Sequence, residues 1–404
     1  METSHLDTLT SIALVTTAAL LCGLLLIRLR QPAVVGYIVA GVVLGPTGLR
    51  LVSNTETVQL LAELGVIMLL FLTGMELSLR SFKSIYKTAL GATVLQILIA
   101  LLAFWGLGHF LDWTMERVVV FAFATALSST AVAIKILEET DDLRTPVGRL
   151  TVSVLVAQDL AVIPMLLMID AFGGKAVGAA GLWVAAKLAL SIGLLAGICW
   201  FLAKRDRINL PLASWISSRP EIIPLAALAF CFTWATLSGL IGLSTAYGAF
   251  LAGLVIGNSN VRTLLHRAAE PIQAILLMVF FLSIGLLIDL HYIAGNWRQV
   301  LLVLALVTLL KTTVNVAILH LLGEPRRRAF HSGVVMGQMG EFSFILVAVG
   351  MTASVISPDD YHLMISVIAL SLLISPMWLA IARRLHDVAL KTLGAGFIEP
   401  EEEF

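Results

Sequence analysis

Thirteen predominantly apolar stretches follow one another along a chain of 404 residues, separated by short polar connections. They cover roughly 9–27, 32–46, 59–78, 88–110, 118–137, 148–170, 179–202, 221–238, 242–257, 272–289, 299–322, 329–350 and 362–382. Most approach the ~20 residues that an α-helix needs to cross the ~30 Å hydrocarbon core of a bilayer. Inside a bilayer no water pairs with a bare backbone N–H or C=O, so a helix that satisfies its own backbone is the natural spanning element. The expected fold class is therefore an all-α polytopic membrane protein with about thirteen transmembrane helices. The second, eighth and ninth stretches are short and rich in Gly or Pro.

Composition narrows the function classes. Only 13% of residues are charged, where soluble domains carry about a quarter. The formal net charge is zero, which offers no basic surface to a nucleic acid. Cys22, Cys199 and Cys231 lie far apart in apolar segments and form no CxxC pattern, so they read as small buried hydrophobes. All eight histidines fall at span ends or in connections, and none makes an HxxxH pair. A transition-metal centre within the membrane has little support from such a pattern. No Walker or dinucleotide glycine motif is present, so neither ATP drive nor a bound nucleotide cofactor is expected. The first apolar run follows METSHLDTLT, which lacks the Lys or Arg of a signal peptide, and is read as a retained helix.

Lys and Arg sort by connection. With the N-terminus outside, the cytoplasmic connections and C-terminal tail hold 20 of the 26 basic residues, and the outside connections hold 4. This count assigns Lys135 and Arg149, at span ends, to the connection between them; the remaining two, Lys187 and Lys311, lie deeper within spans. Positive charge accumulates on the cytoplasmic side of membrane proteins, so this split predicts the N-terminus outside and the C-terminus in the cytoplasm.

The chain also repeats itself. VGYIVAGVVLG (35–45) aligns with YGAFLAGLVIG (247–257) at an offset of 212, pairing Gly41 with Gly253. VIMLLFLTGMEL aligns with LMVFFLSIGLLI at an offset of 211, pairing Gly74 with Gly285. Small residues recur in many membrane helices for close packing, but two consecutive matches in the same order argue for duplication. The second span maps onto the ninth and the third onto the tenth. A shift of seven spans is odd, so the halves insert in opposite orientations. Inverted repeats of this kind characterise secondary transporters, whose substrate site lies near the bilayer midplane at interrupted helices.

Four polar groups fall at span centres: Asp159 with Gln158 in LVAQDLAVIP, the stretch LSST (127–130), Lys311, and GQMGEF (337–342). An ionised Asp at that depth costs about 2.5–3.5 kcal/mol on insertion scales, and such residues usually pair or function. Asp159 is thus either an ion-binding carboxylate or half of a structural pair with Lys311. Ser128, Ser129 and Thr130 bond to their own helix carbonyls or serve as ligands; their shared depth with Asp159 favours ligands. Gln158 either supplies an amide oxygen to a cation, or faces lipid or packs against the fifth span. Glu341 is a structural acid or a pathway residue, and both readings stay open. The offset of 212 maps Ser128 onto Gly340, so the fifth and twelfth spans are repeat mates, each interrupted at the same depth. Two crossed, partly unwound helices would look like this in sequence. Lys187 is expected to snorkel outward, and Glu63 and Glu76 to sit at the interface.

At these residues the chain resembles a known family. GYIVAGVVLGP, LSSTAVAIKIL, VGRLTVSVLVAQDLAVIP, AYGAFLAGLVIGNS, FFLSIGLLID and GQMGEFSFIL are similar to motifs of the monovalent cation:proton antiporter-2 family, from about residue 12 to 385. Within it the Kef-type potassium:proton antiporters look closest, together with members from magnetotactic bacteria proposed to carry iron. The resemblance implies a homodimer in the bacterial inner membrane, transporting K⁺ and H⁺ among membrane lipids with no cofactor and no nucleic acid. It implies a core of spans 4–6 and 11–13 (about 88–170 and 299–382) moving against a scaffold of spans 1–3 and 8–10 (about 9–78 and 221–289). Span 179–202 would link the two. The ion-binding carboxylate falls on Asp159, its neighbour on Gln158, the unwound hydroxyl stretch on 127–130, and the core lysine on Lys311.

Two features depart from the pattern. Many Kef-type members continue into a soluble nucleotide-sensing domain, whereas this chain stops about twenty residues after its last span. A separate regulatory subunit or a domain outside this sequence is the corresponding expectation. The connection NVRTLLHRAAEP (260–271) is mostly basic where glutathione-gated members are acidic.

The sequence thus predicts a non-enzymatic secondary antiporter, K⁺ for H⁺, with Na⁺/H⁺ exchange, a gated K⁺ channel or iron transport as alternatives. The topology is directly testable. Single cysteines introduced at 204–219 and 324–328 are expected to label from the cytoplasm, and those at 112–116 from outside. Opposite labelling of either set overturns the thirteen-span arrangement.

Overall fold

The computed structural model describes residues 2–29, 31–51, 55–76, 86–173, 219–241 and 243–392, with short pieces between 189 and 209. Its helices are α1 (Glu2–Arg28), α2 (Ala33–Leu44), α3 (Thr55–Glu76), α4 (Tyr86–Phe110), α5 (Met115–Ala126), α6 (Thr130–Glu139) and α7 (Pro146–Gly173). After the partly described seventh span come α8 (Ile223–Leu240), α9 (Thr245–Gly257), α10 (Arg262–Leu287), α11 (Leu290–Gly295) and α12 (Trp297–Leu321). The chain continues as α13 (Arg326–Val335), α14 (Glu341–Thr352) and α15 (Pro358–Thr392). No strand occurs among the described residues; a single bridge joins Ile208 to Ser259. Helices α4, α7, α10 and α12 are each long and apolar enough to cross a membrane alone. Most of the seventh span, including Lys187 and Cys199, lies outside the described residues, as does the acidic C-terminal tail.

The fifth and twelfth spans are interrupted, as their sequences predict. The fifth is α5 and α6 separated by Leu127, Ser128 and Ser129; the twelfth is α13 and α14 separated by residues 336–340. Local chemistry explains the restart of the fifth. Ser129 sits in extended backbone at the N-cap of α6, and its hydroxyl accepts from the Val132 N–H at 3.3 Å. Such a cap satisfies one of the donors that a helix start leaves free.

Helices α1–α3 pack with α8–α10, and α4–α7 pack with α12–α15. The internal repeat is visible as exchanged contacts in the first group. Gly41 on α2 packs against Gly285 on α10, and a methyl added at either glycine would overlap the other helix's backbone at Leu282 O or Ile38 O. Gly253 on α9 packs in the same way against Gly74 on α3, facing Phe71 O and Phe250 O. The repeat carries α2 onto α9 and α10 onto α3, so each contact is the image of the other. Close approach through small residues is how helices gain packing energy in lipid, where hydrophobic burial between them is worth little.

Chain ends sort onto two faces. On one, the Arg117 guanidinium pairs with Asp360 and stacks 4.2 Å over the Trp113 ring, tying α5 to α15. Tyr292 and His362 also meet there, at 5.6 Å between rings. On the other, Arg262 Nη2 donates to Glu76 O at 3.2 Å, and Ile208 pairs with Asn258 and Asn260 through the backbone. Each of these contacts joins connections that the expected crossing pattern puts on the same side.

Close helix contact makes a sharp prediction. Gly253→Val should cost on the order of 1–3 kcal/mol, as overpacking does, and lower the melting temperature in detergent. Gly106→Ala, where an added Cβ meets nothing within 4 Å, should melt like the unmutated protein. Equal melting of Gly253→Val and wild type contradicts the α3–α9 approach.

Candidate ion-binding site

The two broken spans cross at their breaks, so four helix ends converge: the C-termini of α5 and α13 and the N-termini of α6 and α14. Gly340 N–H donates to Leu127 O at 3.1 Å, and a Cβ on Gly340 would lie 2.8 Å from Ser128 O. Only glycine allows so close a crossing. Gln338 Nε2 donates to Ser129 O at 3.3 Å. Ser129 Oγ donates to Glu341 Oε2 at 2.6 Å, across a separation of 212 residues. That separation equals the repeat offset. Repeat mates touch each other only where the pseudo-twofold axis passes, so the axis runs through this crossing.

Asp159 lies halfway along α7 and is 8% exposed. Its Oδ2 accepts from Thr130 Oγ1 at 3.1 Å. Consecutive residues at the start of α6 thus hold two different acids: Ser129 holds Glu341 and Thr130 holds Asp159. Both carboxylates sit where helix N-termini present partial positive charge, Asp159 at α6 and Glu341 in the first turn of α14. Ser371, the residue 212 beyond Asp159 in the sequence, also reaches a break. Its hydroxyl accepts from Met339 N–H at 3.0 Å, so the second repeat holds its break with a neutral group.

Lys311 departs from expectation. A pair with a core acid is anticipated from sequence, but its ammonium donates to the backbone oxygens of Thr125, at 2.7 Å, and Leu127. These carbonyls end α5, where no further turn of helix supplies partners and the dipole is negative. Ser343 Oγ adds a third donor, to Ala124 O at 2.6 Å. The lysine is an adapter for a helix terminus.

Gln158, 1% exposed, takes the packed alternative. Its Oε1 accepts from Ser128 N–H at 2.8 Å, and its Nε2 donates to Gln96 Oε1 at 2.8 Å. Ser128 Oγ donates to Met336 O at 2.9 Å. Of the expected hydroxyls, Thr130 and Ser129 bond to carboxylates while Ser128 bonds to the other break.

Gln96 and Asn315 were not singled out from the sequence, yet both line this region and bond to each other at 3.0 Å. The signals were present: Gln96 interrupts an apolar run, and Asn315 lies one helical turn beyond Lys311 on the same face. Among the described residues no group of three or more His, Cys, Asp or Glu gathers as a metal centre would require.

Known proteins share this architecture. The family described as the transmembrane sodium/hydrogen exchanger matches residues 15–383. The chain is 49% identical to the iron transporter MagA of Paramagnetospirillum magneticum, over 96% of this chain and 88% of that one. It is 31% identical to the glutathione-regulated potassium-efflux system protein KefC of Salmonella arizonae, over 90% of this chain and 58% of the relative. It is 30% identical to K(+) efflux antiporter 5 of Arabidopsis thaliana, over 91% of this chain and 65% of the relative. The chain therefore spans less than two thirds of these potassium-efflux relatives. The solved sodium proton antiporter MjNhaP1 of Methanocaldococcus jannaschii has the same fold, with a TM-score of 0.68, 17% identity, and coverage of 96% of this chain and 100% of that one. The crossed, broken helices and the match along almost the whole chain agree, and the chain belongs to the transmembrane sodium/hydrogen exchanger family.

Proposed function

We propose that this chain is a secondary active monovalent cation:proton antiporter, with K⁺ as its leading cation, in which cation and proton compete for Asp159. The observation that carries this reading is the buried α7 carboxylate of Asp159, 8% exposed, held by Thr130 where two broken helices cross. A carboxylate there binds a proton or a cation, and each excludes the other. Mutual exclusion at one alternately exposed site is what couples opposing fluxes. The α4–α7 and α12–α15 group carries the site and moves against the α1–α3 and α8–α10 group, whose glycine contacts suit a rigid scaffold. A homodimer in a bacterial inner membrane, N-terminus outside, completes the proposal, with regulation from a separate subunit or domain.

The names of the potassium-efflux relatives favour K⁺. Gln158 does not enter this argument, since its oxygen is taken by Ser128. Hydroxyl and carbonyl oxygens remain at the breaks to replace a hydration shell, as neutral ligands do for weakly hydrated cations. A single carboxylate that binds either one cation or one proton exchanges one positive charge for another, so exchange is electroneutral.

A second reading is transport of iron. Two carboxylates bridged to adjacent hydroxyls, with an iron transporter as a 49% identical relative, favour it. Two acids without a soft or imidazole ligand make a weak transition-metal site, so K⁺ leads.

Liposomes carrying a pH dye test the proposal directly. K⁺ and Rb⁺ are expected to drive proton movement more strongly than Na⁺ or Li⁺, with little response to membrane potential; Fe²⁺ exchange without K⁺ exchange selects the second reading. Asp159→Asn should abolish exchange in folded protein. One charge at ~4 Å contributes about 4 kcal/mol where the effective dielectric is about 20, roughly a thousandfold in affinity. Retained exchange in that variant excludes Asp159 as the carrier.

Lys311→Met should lower stability by on the order of 2 kcal/mol or more, because it strips donors from two buried carbonyls. Lys311→Gln, which can still donate, should recover part of that loss. Unchanged melting of Lys311→Met contradicts the adapter role.

A further inference from the structure

Five hydrogen bonds join the two breaks into a closed ring. Ser128 N–H donates to Gln158 Oε1 at 2.8 Å, and Gln158 Nε2 donates to Gln96 Oε1 at 2.8 Å. Gln96 Nε2 donates to Asn315 Oδ1 at 3.0 Å, and Asn315 Nδ2 donates to Met336 O at 3.0 Å. Ser128 Oγ closes the circuit on the same Met336 oxygen at 2.9 Å. The ring takes one amide from each of α4, α7 and α12. Gln96 is 3% exposed, Asn315 2% and Gln158 1%.

The direction of the ring is fixed by its ends. A backbone N–H can only donate and a backbone carbonyl can only accept. Gln158 must therefore turn its oxygen to Ser128, and each following amide is oriented in turn until Asn315 presents its NH₂ to Met336. Every member is satisfied, and reversing any one amide sets oxygen against oxygen or NH₂ against NH₂. Buried networks of this kind stabilise when complete and penalise any gap. Gln158 is the immediate neighbour of Asp159, so the ring also sets where the carboxylate lies relative to Thr130.

We infer that Gln96 and Asn315 are positioning residues for ion exchange, holding the two unwound segments at one spacing so that Asp159 meets the N-terminus of α6. This rests on the proposed cation:proton exchange and assigns a further device to the same site. α12 serves both breaks at once: Lys311 bonds the end of α5, and Asn315, one turn later, bonds the end of α13. The ring contains no group that titrates near neutral pH, so it links the breaks without offering protons a second acceptor.

Isosteric variants separate positioning from bulk structure. Gln96→Leu and Asn315→Leu remove the link, while Gln96→Glu restores it only when the new carboxyl is protonated and can donate to Asn315. In proteoliposomes with the pH dye, both Leu variants are expected to raise the half-saturating K⁺ concentration by about tenfold, the scale of one lost buried hydrogen bond. Gln96→Glu should approach wild-type exchange at acidic pH and lose it at alkaline pH, a crossover that Gln96→Leu lacks. Hydrogen–deuterium exchange of detergent-purified protein supplies a readout independent of transport. Amides of 127–130 should lose protection in the Leu variants. Unchanged protection overturns the ring, and lost protection with unchanged half-saturation and pH profile overturns the positioning role. Wild-type vesicles that move no protons with any cation overturn the antiport reading instead, while the deuterium readout still decides whether the ring holds the crossing.

Discussion

A backbone group that enters hydrocarbon must find a partner inside the protein. Two helices broken within the membrane violate the usual solution at four ends, and much of the core exists to repair that. Lys311, Ser343 and Gly340 serve the carbonyls ending α5, while Ser128 and Asn315 serve the end of α13. Ser129 caps α6, and Ser371 and Gln158 take amides from the two unwound segments. The partners come from α7, α12, α14, α15 and the opposite break. The breaks are therefore affordable only because these helices surround them.

The same repair arranges charge. Each ionisable group at the crossing stands against a helix end whose polarity suits its charged form: Lys311 at the end of α5, Asp159 at the start of α6 and Glu341 at the start of α14. The end of α13 has only neutral donors, from Asn315 and Ser128. Helix termini contribute roughly half a charge each and lose influence within about a turn, so these pairings act locally. In the proposed exchange, a cation or a proton at Asp159 answers the charge of its carboxylate.

Much of this was legible in the sequence. Apolar length gave the helices, the 212-residue offset gave the inverted repeat, and hydroxyls or glycines at span centres marked both breaks. Asp159, Ser129, Thr130, Glu341 and Gly340 do converge. Side-chain direction was less legible. Lys311 suggested an acid partner because charge invites a countercharge, but nothing in a linear sequence reveals that a broken helix end offers carbonyls nearer to hand. Gln158 suggested a ligand because it adjoins Asp159, yet neighbours on a helix point about 100° apart, and its amide reaches Ser128 instead. Gln96 and Asn315 matter only through partners on other spans, which periodicity within one helix cannot report.

The axis through Ser129 and Glu341 bears on how such a molecule can have two resting shapes. If each half can adopt the other's conformation, exchanging them yields a second structure open to the opposite side, and most packing energies carry over unchanged. Their difference then resides in residues that differ between positions 212 apart, as Asp159 does from Ser371, Lys311 from Ile99 and Glu341 from Ser129. Under the proposed exchange, Asp159 is the one of these whose charge a bound ion alters. An otherwise balanced scaffold thus leaves the preference between its two faces to a few side chains, and a single bound ion is large on that scale.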